Sequence, residues 1–234
     1  MHLSDRIIDL IKTNRISSTE VADALGKRGV VGGLIPVNPG GYFVGKIHYI
    51  YAFDESNWPV HEQIKDLPEE CALYVDTFNC KDKAIFGDLV SKYLILYKKV
   101  KGIAVTGNMR DIPDLKKYNF PIWCKGFSPL GCYNLKVEES DEIKRSVEQK
   151  RKELNGGIMV CDDSGCTVIS NDLINEETYN RLELIELQED IWGFCINTLK
   201  WSTYDTICLK KYLSNPDVLP VHLREKVSKI PFKK

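Results

Sequence analysis

Apolar residues recur along this chain in two periods, and the two periods alternate. Leu3, Ile7, Leu10 and Ile11 stand at helical spacing, which predicts an amphipathic N-terminal helix with one buried face. Ser17 followed three residues later by Glu20 is a capping-box pattern, so a second helix is expected there, with Val21, Ala24 and Leu25 on its apolar face. The Gly- and Pro-rich stretch that follows alternates at its ends. Residues 42–44 and 47–52 read as strands, with turns at Gly40-Gly41 and Gly45. A short helix over 59–66 stops before Pro68, and 71–76 is a nearly continuous apolar run of the buried-strand type.

The central stretch, 84–129, holds the densest polar signal. A helix starting near Lys83 carries Phe86, Leu89, Val90, Tyr93, Leu94 and Tyr97, and the pair Gly87-Asp88 sits at its opening. A strand over 103–105 runs into a turn at Thr106-Gly107-Asn108 and delivers Arg110 and Asp111 at its end. A short helix over 113–118, a strand over 121–124 and a turn at Gly126 complete the unit. Strand, turn, charged pair, helix, strand is how an open α/β sheet places a polar site at strand ends.

Beyond Pro129 the pattern changes. Residues 141–154 form a highly charged helix whose only apolar residues are Ile143, Val147 and Leu154, so it reads as a solvated excursion ended by Asn155-Gly156. A strand over 157–161, a tight turn at Asp162-Asp163-Ser164-Gly165 and a return strand over 166–169 predict a hairpin. The last helical region, 176–201, places Leu184, Leu187, Ile191 and Phe194 on one face, and a polar tail with a basic end closes the chain.

Size and charge narrow the class. The chain has 234 residues, enough for one large domain with an appended tail. We read the core as about 16–200, a charged helical insertion as about 138–155 and a C-terminal extension as about 201–234. A net charge of -1 gives no general nucleic-acid footprint, so no nucleic acid is expected as a partner. No apolar run approaches the roughly 20 residues that span a bilayer, and the N-terminus reads as a helix rather than an export signal. A cytoplasmic protein with no membrane partner is the expectation. Eight cysteines without C-x-x-C spacing point to free, mostly buried thiols and not to a zinc site.

Among the charged residues, Arg110 suits bidentate capture of a carboxylate. Asp111 beside it suits a divalent cation such as Mg²⁺, which takes one or two carboxylates and keeps its waters. The helix opened by Gly87 and Asp88 offers N–H groups to an anion. Together they would bind a small keto acid. Two plainer readings stand beside this one: Asp111 as the N-cap of the helix that follows, and Arg110 with Asp88 as a surface ion pair. His61 reads as a partly buried packing residue, Asp162 and Asp163 as turn chemistry, and Glu186 and Glu189 as a solvated helix face.

An ordered set of segments resembles one family. STEVADALGKRGV, SNWPVHEQI, LYVDTFNCKDKAIFGDLV, GNMRD followed by FPIWCKGFSP, and GGIMVCDDSGCTVI are similar, in that order, to segments of the family holding the regulator of ribonuclease activity A (RraA) and the 4-hydroxy-4-methyl-2-oxoglutarate/4-carboxy-4-hydroxy-2-oxoadipate aldolases. The likeness covers about 16–135 and 156–200. It implies an α/β fold, a three-layer ββα sandwich with N-terminal helices and a long C-terminal helix, in a homotrimer or homohexamer. It further implies a Mg²⁺- or Mn²⁺-dependent lyase, a class II pyruvate aldolase that also decarboxylates oxaloacetate. In that scheme Arg110 holds the pyruvyl carboxylate, Asp111 ligates the metal, Asp88 moves protons through a water, and Gly87 with the amides of Leu89 and Val90 meets the substrate. The family also implies two other outcomes: a non-catalytic regulator that binds a ribonuclease, and a related lyase or hydratase on a specialised metabolite. The chain departs from the family in four places. Twenty-one residues, 89–109, separate Asp88 from Arg110 where the family's enzymes have one fewer. Thr106 stands where an aspartate is usual and Lys125 where an arginine is common, and 130–154 matches nothing in the family.

Overall fold

The computed structural model describes residues 1–227; the basic end of the tail, 228–234, lies outside the described residues. In chain order the elements are α1 (Leu3–Asn14), α2 (Ser18–Ala24), β1 (Val30–Val31), β2 (Ile35–Pro36), β3 (Phe43–Phe53), α3 (Trp58–Gln63) and β4 (Ala72–Phe78). There follow α4 (Asp88–Lys92), which runs into a π turn (Tyr93–Tyr97), then β5 (Gly102–Met109), α5 (Ile112–Lys117), β6 (Ile122–Phe127) and α6 (Asp141–Leu154). The series ends with β7 (Ile158–Asp162), β8 (Gly165–Ile169), α7 (Glu176–Asn197) and α8 (Val221–Val227).

Period-2 alternation sorts the strand residues into separate cores. On β4, Leu73 and Val75 face one core while Ala72 and Tyr74 face another; on β5, Ile103 and Val105 oppose Ala104; on β6, Ile122 and Cys124 oppose Trp123. The first set packs against Val60 of α3, Ile64 just after it, Leu94 of the π turn and Leu115 of α5. The second set meets Met159, Cys161, Cys166 and Val168 of the β7–β8 hairpin, so the sheet folds back and its two halves face each other. Trp123 Nε1 donates to the Asp162 carbonyl across that gap at 2.8 Å. The outer side of the hairpin, Ile158, Val160 and Ile169, is covered by Ile7 and Ile11 of α1, Val21 of α2 and Leu182 of α7. The expected ββα layering is therefore present, with the terminal helices on the antiparallel half.

The strand order is β1-β8-β7-β3-β4-β5-β6-β2, and β3 is shared. Its first residues, 43–46, pair antiparallel with β7, and 47–53 pair parallel with β4. Gly45 is thus not a turn between two strands but a point inside one long strand. A Cβ there would stand 2.7 Å from the Phe43 ring, which also lies over Gly102. The ring fills the bend because both glycines leave it room. Likewise 106–108 is not a turn. It continues β5 through a register irregularity between Val105 and Asn108.

The charged helix α6 has the boundaries read from its sequence, with Ser140 capping Ile143 N–H. Its role differs from a solvated excursion: Val147 and Leu154 are buried and pack into the core between the sheet halves. Tyr51 of β3 donates to Glu139, and the Arg151 guanidinium lies 5.8 Å from the Tyr51 ring centroid. A helix with a narrow apolar seam and a charged exterior covers a sheet edge while keeping its charges in water. The buried stripe of α7 is Leu182, Leu187, Ile191 and Cys195, while Leu184 and Phe194 are only partly buried. Its second half packs with Tyr212, Leu219 and Leu223 in a core of its own.

Candidate functional site

The residues before α4 do not begin a helix at Lys83. They run extended as a link between two other segments. Ala84 N–H donates to Leu130 O at 2.7 Å and Cys132 N–H to Ala84 O at 2.9 Å. On the other side Ile85 N–H donates to Asn108 O at 2.8 Å, and Arg110 N–H to Phe86 O at 3.2 Å. These bonds seat Gly87 and Asp88 against the end of β5, where Arg110 and Asp111 leave the strand. The two charged pairs, more than twenty positions apart in the chain, are neighbours for this reason.

Gly87 sets how closely they meet. A Cβ there would collide with Asp111 Oδ2 and stand 2.8 Å from its Cγ and 2.9 Å from Arg110 Cγ. Through that gap the Asp88 N–H donates to Asp111 Oδ2 at 3.3 Å, and Arg110 Nε lies 3.7 Å from the same oxygen. Asp111 occupies the N-cap position of α5, yet its side chain makes no capping bond. Its backbone is left-handed (φ 58°, ψ 38°), which turns the carboxylate toward Gly87 instead. The capping reading of Asp111 therefore does not describe its side chain. Nor is Asp88 paired with Arg110: Asp88 Oδ2 binds Lys92 Nζ at 2.6 Å, one turn along α4. That bond raises the Lys92 pKa above its ordinary value.

Arg110 lies over Gly131, where a Cβ would collide with Nη1. Its side chain is 48% exposed and that of Asp111 42%, so the grip opens to the surface. Leu89 is exposed and Val90 packs partly against the core, while Ser91 is buried with its hydroxyl on Gly87 O at 2.8 Å. Between Asp88 and Arg110 the chain passes through the π turn. Lys98 N–H reaches back five residues to Tyr93 O at 3.1 Å, and a π turn holds one more residue than an α turn.

Asn57 belongs here and is hard to find in a sequence. It is 7% exposed, its Nδ2 donates to Ile85 O at 3.0 Å, and its Oδ1 is buried without a partner. His61, four residues on, is exposed rather than partly buried, because the buried face of α3 is made by Pro59 and Val60. Thr106 lies outside the grip: its hydroxyl donates to Asp76 Oδ1 at 3.0 Å, and Tyr49 donates to Asp76 Oδ2 at 3.2 Å. Burial holds the Asp76 carboxyl above its usual range. Asp162 and Asp163 do serve turn and inter-segment bonds, Asp162 accepting from Ser164 and Ser18 and Asp163 from Gly40. Glu189 is exposed on α7. All eight cysteines are free, six of them buried. Among the described residues no cluster of three or more His, Cys, Asp or Glu is placed to hold a metal, and no helix is long and apolar enough to cross a membrane.

Known proteins place this architecture. Protein DlpA of Legionella pneumophila subsp. pneumophila is 26% identical over 183 residues, which is 74% of this chain and 29% of that protein, so the chain spans under a third of that relative's length. An uncharacterised protein of Pseudomonas syringae pv. tomato shares the fold with a TM-score of 0.63 at 23% identity, covering 83% of this chain and 93% of that one. RraAS2 of Streptomyces coelicolor, described as an unusual member of the RNase ES inhibitor RraA family, gives a TM-score of 0.60 at 18% identity, covering 79% and 96%. Residues 18–168, more than half of the chain and including both halves of the grip, match the RraA-like (Aldolase/RraA) family, and the chain belongs to it.

Proposed function

We propose that this protein is a divalent-metal-dependent lyase that cleaves a carbon–carbon bond in a 2-keto acid. The reading rests on one observation: the Asp111 carboxylate, Arg110 and the Asp88 amide converge across the bare face of Gly87. The residues suit Mg²⁺ or Mn²⁺, because Asp111 is turned away from its cap and half-exposed, and such an ion takes one or two carboxylates with waters completing its shell. Asp111 would hold it, and when bound it supplies Lewis-acid polarisation of the substrate's C2 oxygen.

The protein's own groups do the rest. Arg110 takes the substrate carboxylate in a two-pronged bond, anchoring the keto acid with its reacting carbons toward Asp88. The amides of Leu89 and Val90 lie in the first turn of α4, where helical N–H groups lack partners within the helix, and they donate to the same anion. The C4 hydroxyl gives its proton to a water and its oxygen becomes a carbonyl as the C3–C4 bond breaks, and the bond's electrons pass into a pyruvate enolate. Asp88, held by Lys92, positions the water that returns a proton to C3. The test is cleavage of 4-hydroxy-2-keto acids and decarboxylation of oxaloacetate, with Mg²⁺ and with EDTA. Turnover should require the metal and fall at least 100-fold in Arg110→Ala and Asp111→Ala. Activity that survives both substitutions sinks the proposal.

Exposed apolar side chains on α4 and the π turn after it bear on partners. Leu89, Leu96 and Tyr97 are 76%, 58% and 72% exposed. In the lyase they meet a second copy of the chain in a homotrimer or homohexamer. In the alternative reading, a non-catalytic regulator, they meet a foreign protein such as a ribonuclease. Metal-dependent turnover of a 2-keto acid supports the first; co-purification with a ribonuclease at fixed stoichiometry, without such turnover, supports the second. The eight unpaired thiols suit a reducing, cytoplasmic setting.

A further inference from the structure

Helix α5 touches α4 at both of its ends. Asp111 stands at its N-cap position and accepts the Asp88 N–H at 3.3 Å. At the other end Tyr118 N–H closes the last turn on Asp114 O at 3.1 Å, and the Lys92 ammonium lies 4.5 Å from the Tyr118 ring centroid. The same ammonium binds Asp88 Oδ2 at 2.6 Å. Asp88 is therefore reached twice from α5, at its amide through Asp111 and at its carboxylate through Lys92. The contacts close a ring that runs from Asp111 to Asp88, Lys92 and Tyr118 and returns along α5. Tyr118 is itself fixed, because its ring stacks on Phe120 with centroids 5.4 Å apart and planes at 18°, and Phe120 is buried in the core of the parallel strands. Lys117 approaches the same ring only to 5.9 Å, so Lys92 is the nearer cation.

We propose that Tyr118 is a positioning residue, whose ring holds the Lys92 ammonium in place and so aims the Asp88 carboxylate. An ion pair one helical turn apart leaves a lysine stem free to swing, and by itself orders little. The face of an aromatic ring is negative, so it attracts the same ammonium from a second direction and fixes where it sits. With the ammonium fixed, the Asp88 oxygen it binds is fixed too, which leaves the second oxygen for the water. The ring belongs to the helix that Asp111 opens. One rigid element thus sets the spacing between the Asp88 carboxylate and the Asp111 carboxylate. What Asp88 does in turnover rests on the lyase reading, whereas the clasp of Tyr118, Lys92 and Asp88 does not.

The test has two readouts, turnover and unfolding. In turnover with Mg²⁺, Tyr118→Leu should lower kcat about tenfold and change KM by less than about twofold, since Arg110 and the α4 amides still anchor the substrate. Tyr118→Phe keeps the ring face and should hold kcat within about twofold of the unsubstituted chain. Lys92→Met should cost as much as Tyr118→Leu, and the two together no more than either alone. In urea unfolding of the full chain without metal, the Lys92→Met and Tyr118→Leu cycle should show a coupling of about two- to fivefold in the unfolding constant. No turnover by the unsubstituted chain overturns the lyase reading together with the role built on it. Turnover that Tyr118→Leu leaves intact, or losses that multiply in the double variant, overturn the positioning role alone. Additive unfolding in the cycle removes the clasp.

Discussion

Gly87→Ala isolates the contact on which the functional reading rests. The Gly87 backbone (φ -137°, ψ -146°) lies outside the left-handed region, so alanine is not strained there by its dihedrals. Restricting the unfolded chain alone would stabilise by about 0.4–1 kcal/mol. Against that, the new methyl meets Asp111 Oδ2 and Cγ and Arg110 Cγ. Overpacking of this kind costs about 1–3 kcal/mol, and the half-exposed Asp111 can yield, which puts the cost toward the lower end. The net is a destabilisation of about 0.5 kcal/mol, or roughly 1–2 °C in Tm for a chain of this size. The sharper measurement is a double-mutant cycle with Asp111→Ala by urea unfolding. Asp111→Ala removes the atoms the methyl strikes, so the pair should be less destabilised than the sum of the singles by about 1 kcal/mol. If the two substitutions are additive within about 0.3 kcal/mol, the carboxylate does not lie against Gly87 and the grip is not closed as described.

Two further outcomes follow from the fold. Asp76 is held above its ordinary carboxylate range by burial, so the folded state keeps its proton to higher pH than the unfolded chain does. The stability this contributes is full below about pH 4 and is lost as pH rises through the folded value. Asp76→Asn should flatten that part of the stability–pH curve, and an unchanged slope in thermal melts would remove Asp76 as its source. Val147, 5% exposed on α6, fills the core between the sheet halves. Val147→Ala should cost about 1.5 kcal/mol in denaturant unfolding, whereas a helix lying free in solvent would register less than about 0.5 kcal/mol.

What could be read from the residues was local. The capping box at Ser17–Glu20, the apolar run that became β4 and the limits of α6 each depend on neighbours within a few positions, and each is where it was expected. The errors came where a distant partner decides. Gly45 looks like punctuation, but it is a place for the Phe43 ring, and the shared strand exists because β7 arrives more than a hundred residues later. The polar crown of α6 hides a seam of two buried residues whose worth depends on the aromatic face beneath it. At the site, the residue types and spacing of Gly87, Asp88, Arg110 and Asp111 were visible, and so was the surplus residue between them. The π turn between them was not, because nothing in Tyr93–Tyr97 distinguishes that turn from an α-helical one by type. Asn57 escaped as well, since a buried amide that ties down a loop carries no periodic signal.

The shared strand also sets an order of events in time. When β6 leaves the ribosome, the parallel half holds all its strands from β3 to β6, but residues 43–46 of β3 have no partner on their far side and Trp123 has no facing sheet. Both wait until β7 is made, some thirty positions after β6 ends. Through that interval an unpaired edge and a bare aromatic face coexist on a nascent chain, the combination that seeds misassociation. Pairings of long sequence separation such as β3–β7 close slowly. The charged helix α6 is synthesised within that interval, so a cover with a strongly charged outer face reaches the open face before β7 does.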